Sequence, residues 1–128
     1  SPSDDLRTAV TSASALWRAH EDSLTPLLLD ALADRDTVRL LGPTTLDAVP
    51  AHRCPTIAFS PLALEPQAVA HELVRRNVQT SSGHYYAARV LEGLGIDPDR
   101  GVVRLSFVHY TSRADVARVV DALIDVLG

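Results

Sequence analysis

Gly101-Val-Val-Arg-Leu-Ser-Phe-Val-His-Tyr110 decides how the rest of the chain is read. Alternate residues of a strand face opposite sides of a sheet. One side of this stretch carries Val103, Leu105, Phe107 and His109; the other carries Val102, Arg104, Ser106 and Val108. Apolar residues on both sides predict a strand covered on both faces. Arg104 then stands in the middle of a buried strand. A guanidinium keeps its proton, so in such a place it needs an anionic partner. That partner is either a carboxylate of the chain itself, with Asp97 and Asp121 as candidates, or the anionic end of a ligand.

Outward from this strand, helical and extended patterns alternate. A helical apolar stripe (Val10, Ala13, Trp17, Leu24, Leu27, Leu28, Ala31, Leu32) predicts a long first helix over 4–33. Asp4 and Asp5 favour its start through the helix dipole. Pro26 is expected to kink it or to begin a second helix with Thr25 as N-cap. An α/β body over 37–128 follows. Residues 37–41 and 55–60 read as strands, and 42–53 as a loop. A helix opens at Pro66, with Val69, Ala70, Leu73 and Val74 as its apolar face, and ends near Asn77. Residues 78–80 read as extended, 81–83 as a turn, and 84–94 as a helix capped by Gly93 or Gly95. Ser112-Arg-Ala-Asp115 is a capping box opening a last helix, whose stripe is Val116, Val119, Val120, Leu123 and Leu127. The fold class is therefore α/β (α+β): one domain over 1–128, with a small sheet of about four strands and helices packed on it.

Composition bounds the function. The 128 residues suffice for one core, with 46% hydrophobic and 22% charged residues. A net charge of −4 indicates no basic surface for nucleic acid. No apolar run approaches the roughly 18–20 residues that span a membrane. The one cysteine, Cys54, can form no internal disulfide, so a reducing, cytoplasmic home is the expectation. All 12 basic side chains are arginine, and the chain has no lysine. No lysine of this chain can form a Schiff base or serve a P-loop.

Two places converge on chemistry. One is Arg104. The other is Ser81-Ser-Gly-His-Tyr-Tyr86, read as a strand-to-helix turn. Free N–H groups at a helix start attract anions, and Gly83 permits a close approach. If neighbours, the two form two sides of a carboxylate or phosphate pocket. His84 would orient a ligand or make a local hydrogen bond; Tyr85 and Tyr86 would line the pocket or pack.

Taken in order, several segments resemble the small domain of class V aminotransferases, the pyridoxal-phosphate group that includes cysteine desulfurases. Val38-Arg-Leu-Leu-Gly-Pro43 resembles the family's strand ending in Gly-Pro. Arg53-Cys-Pro-Thr-Ile-Ala-Phe59 resembles its R-x-P-T-hydrophobic-x-F strand. Ser82-Gly-His-Tyr-Tyr-Ala87 resembles the desulfurase segment G-H-H-C-A, and Val103-Arg-Leu-Ser106 with Tyr110 resembles V-R-x-S-x-x-x-Y-N-T.

The resemblance implies the small domain of a fold-type I pyridoxal-phosphate enzyme, in C-terminal position. It makes Arg104 the residue that binds the substrate carboxylate, with His84 and Tyr85 beside it. Tyr86 stands where a desulfurase has its nucleophilic cysteine, and Tyr110-Thr-Ser112 replaces Y-N-T. A phenol accepts no sulfur as a persulfide, so aminotransferase or other chemistry on an amino acid is implied instead. The G-H-Y-Y version resembles the cysteine-desulfurase-like branch. A missing large domain would supply the Schiff-base lysine and the main cofactor site, and the parent would be a homodimer. Pyridoxal 5′-phosphate would belong to that parent and would not be held covalently by this chain. The alternative is a stand-alone, non-catalytic α/β module that binds an anionic metabolite or a protein partner.

The remaining polar residues have plainer readings. His109 is expected to be a partly buried structural residue. His52 and Cys54 are two ligands, too few for a metal site, and His71-Glu72 lacks the second histidine of a zinc helix. Arg75-Arg76 reads as a solvated helix end, and Trp17 as an anchor against the sheet or a missing partner domain.

Overall fold

The stretch around Arg104 becomes an interior strand, β4 (Val102–Ser106), in the computed structural model, which describes residues 2–45 and 54–128. The order along the chain is α1 (Pro2–Ala33), β1 (Val38–Leu41), β2 (Thr56–Pro61), α2 (Pro66–Arg75), β3 (Ser81–Gly83), α3 (Ala88–Gly93), β4 and α4 (Arg113–Leu127). The sheet order is β1-β2-β4-β3, and every neighbouring pair is antiparallel. Arg104 faces Ala58 of β2 on one side and Ser81 of β3 on the other.

Period-two alternation sorts β4 between two environments. Val103 and Leu105 point into the main core with Ile57 and Phe59 of β2. Helices α1, α2 and α4 cover that face through Leu24, Leu28, Val69, Leu73, Val116 and Leu123. Each such side chain contributes about 1.5–3 kcal/mol by leaving water. Val102 points the other way, into a smaller cluster with Leu91 and Ile96 that also takes in Leu41, Ala58 and Tyr85. Among the described residues, that outer face is covered only at this end. Arg104 and Ser106 are exposed, and Val108 is 39% exposed. The expectation of a strand buried on both sides is thus corrected: the small α3 covers too little of the outer face.

Helix α1 is one continuous element, although Pro26 lies inside it. The helix runs on because Leu24, Leu28, Leu29 and Leu32 are all fully buried around the proline. Four such burials outweigh the roughly 3 kcal/mol that an interior proline costs. Thr25, expected as a cap, turns its hydroxyl back onto the Glu21 carbonyl at 2.8 Å. Helix α4 opens as read. Ser112 Oγ accepts from the Asp115 N–H at 3.1 Å, and the Asp115 carboxylate accepts from the Ser112 N–H at 2.9 Å. Ala122 joins its buried face, while Val119 and Val120 are only partly buried.

Three boundaries differ from the sequence reading. Residues 81–83, read as a turn, form strand β3, and residues 78–80 lie outside the sheet. The helix expected over 84–94 covers only Ala88–Gly93, because Tyr85 and Tyr86 take left-handed backbone angles (φ 50° and 60°). Helix α2 stops at Arg75, before a left-handed Asn77 (φ 61°), and leaves Val74 52% exposed. The expected loop over 42–53 falls mostly on residues 46–53, outside the described residues, as do His52 and Arg53. Among the described residues, no helix is long and apolar enough to cross a membrane.

At the edge of the sheet, Gly101 (φ +68°) holds β4 against β3. A Cβ there would lie 2.6 Å from Gly83 backbone atoms. Gly95 (φ +73°) has nothing within 4 Å of a Cβ. Gly95→Ala should therefore cost only the left-handed strain, about 1 kcal/mol. Gly101→Ala adds a backbone clash and should cost about 2–4 kcal/mol. Urea denaturation of both variants checks this, and equal losses would contradict it.

The α4 cap predicts a pH dependence. Hydrogen bonds from the Ser112 side chain and backbone hold the Asp115 carboxyl below its ordinary value of 3.8, with Arg118 assisting. A depressed folded pKa gives stability that is complete above the unfolded value and lost as pH falls through the folded one. Ser112→Ala should cost about 1 kcal/mol at neutral pH. The same change should move the Asp115 midpoint upward in a carboxyl NMR titration. A midpoint that stays in place would reject the cap as its cause.

Candidate functional site

Two arginines stand four residues apart around β4, and their surroundings separate their roles. In the sequence, Arg100 reads only as part of a turn. Its guanidinium donates to the carbonyls of Pro61 and Leu64, both at 2.9 Å, and pairs with Glu65 at 3.4 Å. Those bonds tie the β2–α2 connection to the approach of β4. Arg100 is a structural cation whose donors are in use.

Arg104 is different. It lies on the outer face of the sheet, exposed, and among the described residues no carboxylate pairs with it. The internal partners considered from sequence are placed elsewhere. Asp97 accepts the Asp99 N–H at 2.9 Å in its own turn. Asp121 is exposed on α4, the helix that packs against the opposite face. The guanidinium instead lies over the Tyr85 ring, 4.0 Å from its centroid. A contact with the face of a ring uses none of the guanidinium's N–H donors, the groups that bind a carboxylate bidentately.

Tyr85 reaches this position because β3 pairs with β4 and the chain then turns back. Its hydroxyl donates to the Ser81 carbonyl and lies 3.1 Å from Ser81 Oγ. Its ring packs on the cluster of Leu91, Ile96 and Val102. His84 belongs to the same turn, but its Nδ1 accepts the Tyr86 N–H at 3.1 Å. The local hydrogen bond is thus what the structure places at His84. Tyr86 is fully exposed and meets His84 edge-on, with centroids 6.3 Å apart. The anion-binding helix start expected here is replaced by this left-handed turn, whose following helix has only 6 residues. The turn contributes an aromatic platform.

Other sequence candidates fall outside the site. His109, expected to be partly buried, is exposed and stacks on Trp17 with centroids 4.7 Å apart. Trp17 is therefore an anchor against the segment after β4 and not against the sheet. His20 Nε2 lies 2.7 Å from the Thr111 carbonyl and ties α1 to that segment. Glu72 bonds both Arg75 and Arg76, which holds its carboxyl below the usual range. Cys54 is exposed. A cavity of about 420 Å³ opens beyond the far end of β4, by Phe107, Asn77 and Tyr110. Its two arginines already have carboxylate partners, Arg76 with Glu72 and Arg118 with Asp115. Arg104, by contrast, has no described carboxylate against it.

The fit of pyridoxal phosphate can be tested on these residues. Covalent attachment of that cofactor to an enzyme needs a lysine side chain, and the chain has none. What the outer face offers among the described residues is an exposed guanidinium over the Tyr85 ring.

Comparison with known proteins agrees with this fold. The profile of the class-V aminotransferase family matches residues 11–119. A probable cysteine desulfurase of Pseudomonas putida is 34% identical over 108 residues, which are 82% of this chain and 23% of that protein. An aminotransferase-like protein of Gibberella zeae is 31% identical over 110 residues, 84% of this chain and 27% of its own. Among solved structures, the apo cysteine desulfurase of Thermococcus onnurineus superposes with a TM-score of 0.73 at 27% identity, covering 85% of this chain and 25% of that one. The chain therefore spans about a quarter of the length of each of these three relatives. Its four-stranded antiparallel sheet with packed helices matches the small domain of fold-type I pyridoxal-phosphate enzymes. By sequence match and by fold, the chain belongs to the class-V aminotransferase family.

Proposed function

We propose that this chain is the C-terminal small domain of a pyridoxal-phosphate-dependent enzyme acting on an amino acid, and that Arg104 binds the substrate carboxylate. The observation that carries this reading is an exposed guanidinium, seated on the Tyr85 ring, with no acid of the described chain against it. A solvent-facing arginine on a strand does not need an aromatic platform for the sake of the fold. A carboxylate-binding fork does, because orientation fixes the bidentate contact. The lysine and the main cofactor site come from a separate large domain, which would also exclude water from the Arg104 face. At the position of a desulfurase cysteine stands Tyr86, fully exposed. Its phenol cannot carry sulfur, so aminotransfer or related amino-acid chemistry is favoured over desulfuration.

The surface of α1 supports the missing large domain. Leu6, Val10, Ala13 and Trp17 continue the stripe that Leu24 and Leu28 bury in the core, with heptad-like spacing. Yet Leu6 is 66% and Val10 57% exposed, and Leu16 beside them is 72% exposed. An amphipathic helix draws most of its stability from packing this face. The matched relatives carry about three quarters of their length outside the matched region, enough to cover it. These features favour an enzyme part over a stand-alone module.

In the full-length protein, Arg104→Ala should raise KM for its amino-acid substrate by at least about 30-fold, the low end of 2–5 kcal/mol for a desolvated charge pair. An unchanged KM in a folded variant would reject the assigned role. Hydrogen exchange tests the large domain separately. Amides of residues 5–16 should exchange fast in the 128-residue chain and at least about tenfold more slowly in the full-length protein. Equal rates in the two would remove α1 from that interface.

A further inference from the structure

We infer that Tyr85 is the positioning residue for Arg104: its ring holds the guanidinium plane so that the N–H edges meet a carboxylate in one orientation. The inference rests on Arg104 as the carboxylate ligand and deepens it by naming the group that sets its specificity for a planar acid.

Four observations converge. First, the guanidinium carbon lies 4.0 Å from the Tyr85 ring centroid, within the range of a cation–π stack. Second, the ring is itself immobilised. Its hydroxyl donates to the Ser81 carbonyl and its body packs on Leu91, Ile96 and Val102. Third, Ser81 is the register partner of Arg104. The strand pair, the Ser81–Tyr85 hydrogen bond and the stack therefore form one closed circuit around the fork. Fourth, the backbone of Tyr85 is left-handed (φ 50°), a conformation unusual for a bulky aromatic. Tyr86, next in the chain, is left-handed too (φ 60°), so the turn that carries the ring to the charge is strained at both residues.

An arginine on an open sheet face otherwise samples many rotamers, and each bound acid must select one of them. A ring beneath it removes that selection before the ligand arrives. Arg100 shows the contrast within the same chain: its fork is oriented by backbone carbonyls, which consume the donors that orient it. Stacking orients Arg104 without using any donor. The aromatic face, and not the hydroxyl, is then the part of Tyr85 that acts on the fork; the hydroxyl acts on the ring.

The test uses the full-length protein with L-alanine and L-cysteine as probes. Tyr85→Leu should raise KM about 3- to 30-fold with kcat within about twofold, because the acid is bound less well and the reacting atoms are untouched. Tyr85→Phe and Tyr85→Trp should keep KM within about threefold of wild type, since each retains a ring. Should Tyr85→Leu not fold, the same comparison is read between Tyr85→His, which retains a small flat ring, and Tyr85→Gln, which retains none. A KM that is unchanged in the ringless variants overturns the inference, and so does a rise that no ring restores. Arg104→Ala in parallel separates the two assignments. If it raises KM while Tyr85→Leu does not, Arg104 keeps its role and Tyr85 is not its positioning residue. If Arg104→Ala leaves KM unchanged, the carboxylate site itself is wrong.

Discussion

Strand β4 has to satisfy opposite demands on its two sides, and the rest of the domain follows from that constraint. Val103 and Leu105 need cover, and α1, α2 and α4 supply it from one face of the sheet. Because successive side chains alternate, Arg104 between them must then point away from those helices. Once the main core is built on one side, the cation is delivered to the other without further arrangement. Among the described residues, only the end of the outer face near Val102 is closed, by the small cluster around Leu91 and Ile96. The fork beyond it is exposed.

Charge placement repeats this logic. Most arginines whose surroundings are described serve local structure. Arg76, just past α2, pairs with Glu72 of that helix, Arg118 pairs with Asp115 of its own helix, Arg100 binds backbone carbonyls, and Arg39 donates to the Leu94 carbonyl at 2.9 Å. Exposed pairs of the first kind are worth little to stability. Arg104 differs in having a ring in place of an acid. The chain has no lysine, so it offers no side chain that could hold the family's cofactor as a Schiff base.

Local rules were legible where a few neighbouring residues suffice. The capping box at Ser112 and Asp115, the helix start at Pro66 and the length of α1 were all readable. They failed where a distant contact overrides propensity. Pro26 does not divide α1, because its flanking leucines are held by the core. Tyr85 and Tyr86 read as helix, yet the pairing of Ser81 with Arg104 and the packing of the Tyr85 ring draw the turn into left-handed angles. Residues 81–83 read as a turn because their composition is that of one; the neighbouring β4 makes them a strand.

Sequence by itself determined the chemistry that is possible: no lysine, a single cysteine, an arginine alternating with Val and Leu in a strand, and a tyrosine where a related motif has cysteine. Those are properties of residue type and order, and no fold alters them. Tertiary structure alone decided which arginine spends its donors on backbone carbonyls and which lies over a ring. Arg100 and Arg104 are alike as letters, and Tyr85 lies 19 positions before Arg104. Their roles separate only when the antiparallel register closes and sets a ring under one guanidinium and carbonyls around the other. Long-range pairing has no local signature in the chain, and that is the physical reason it had to be seen in three dimensions.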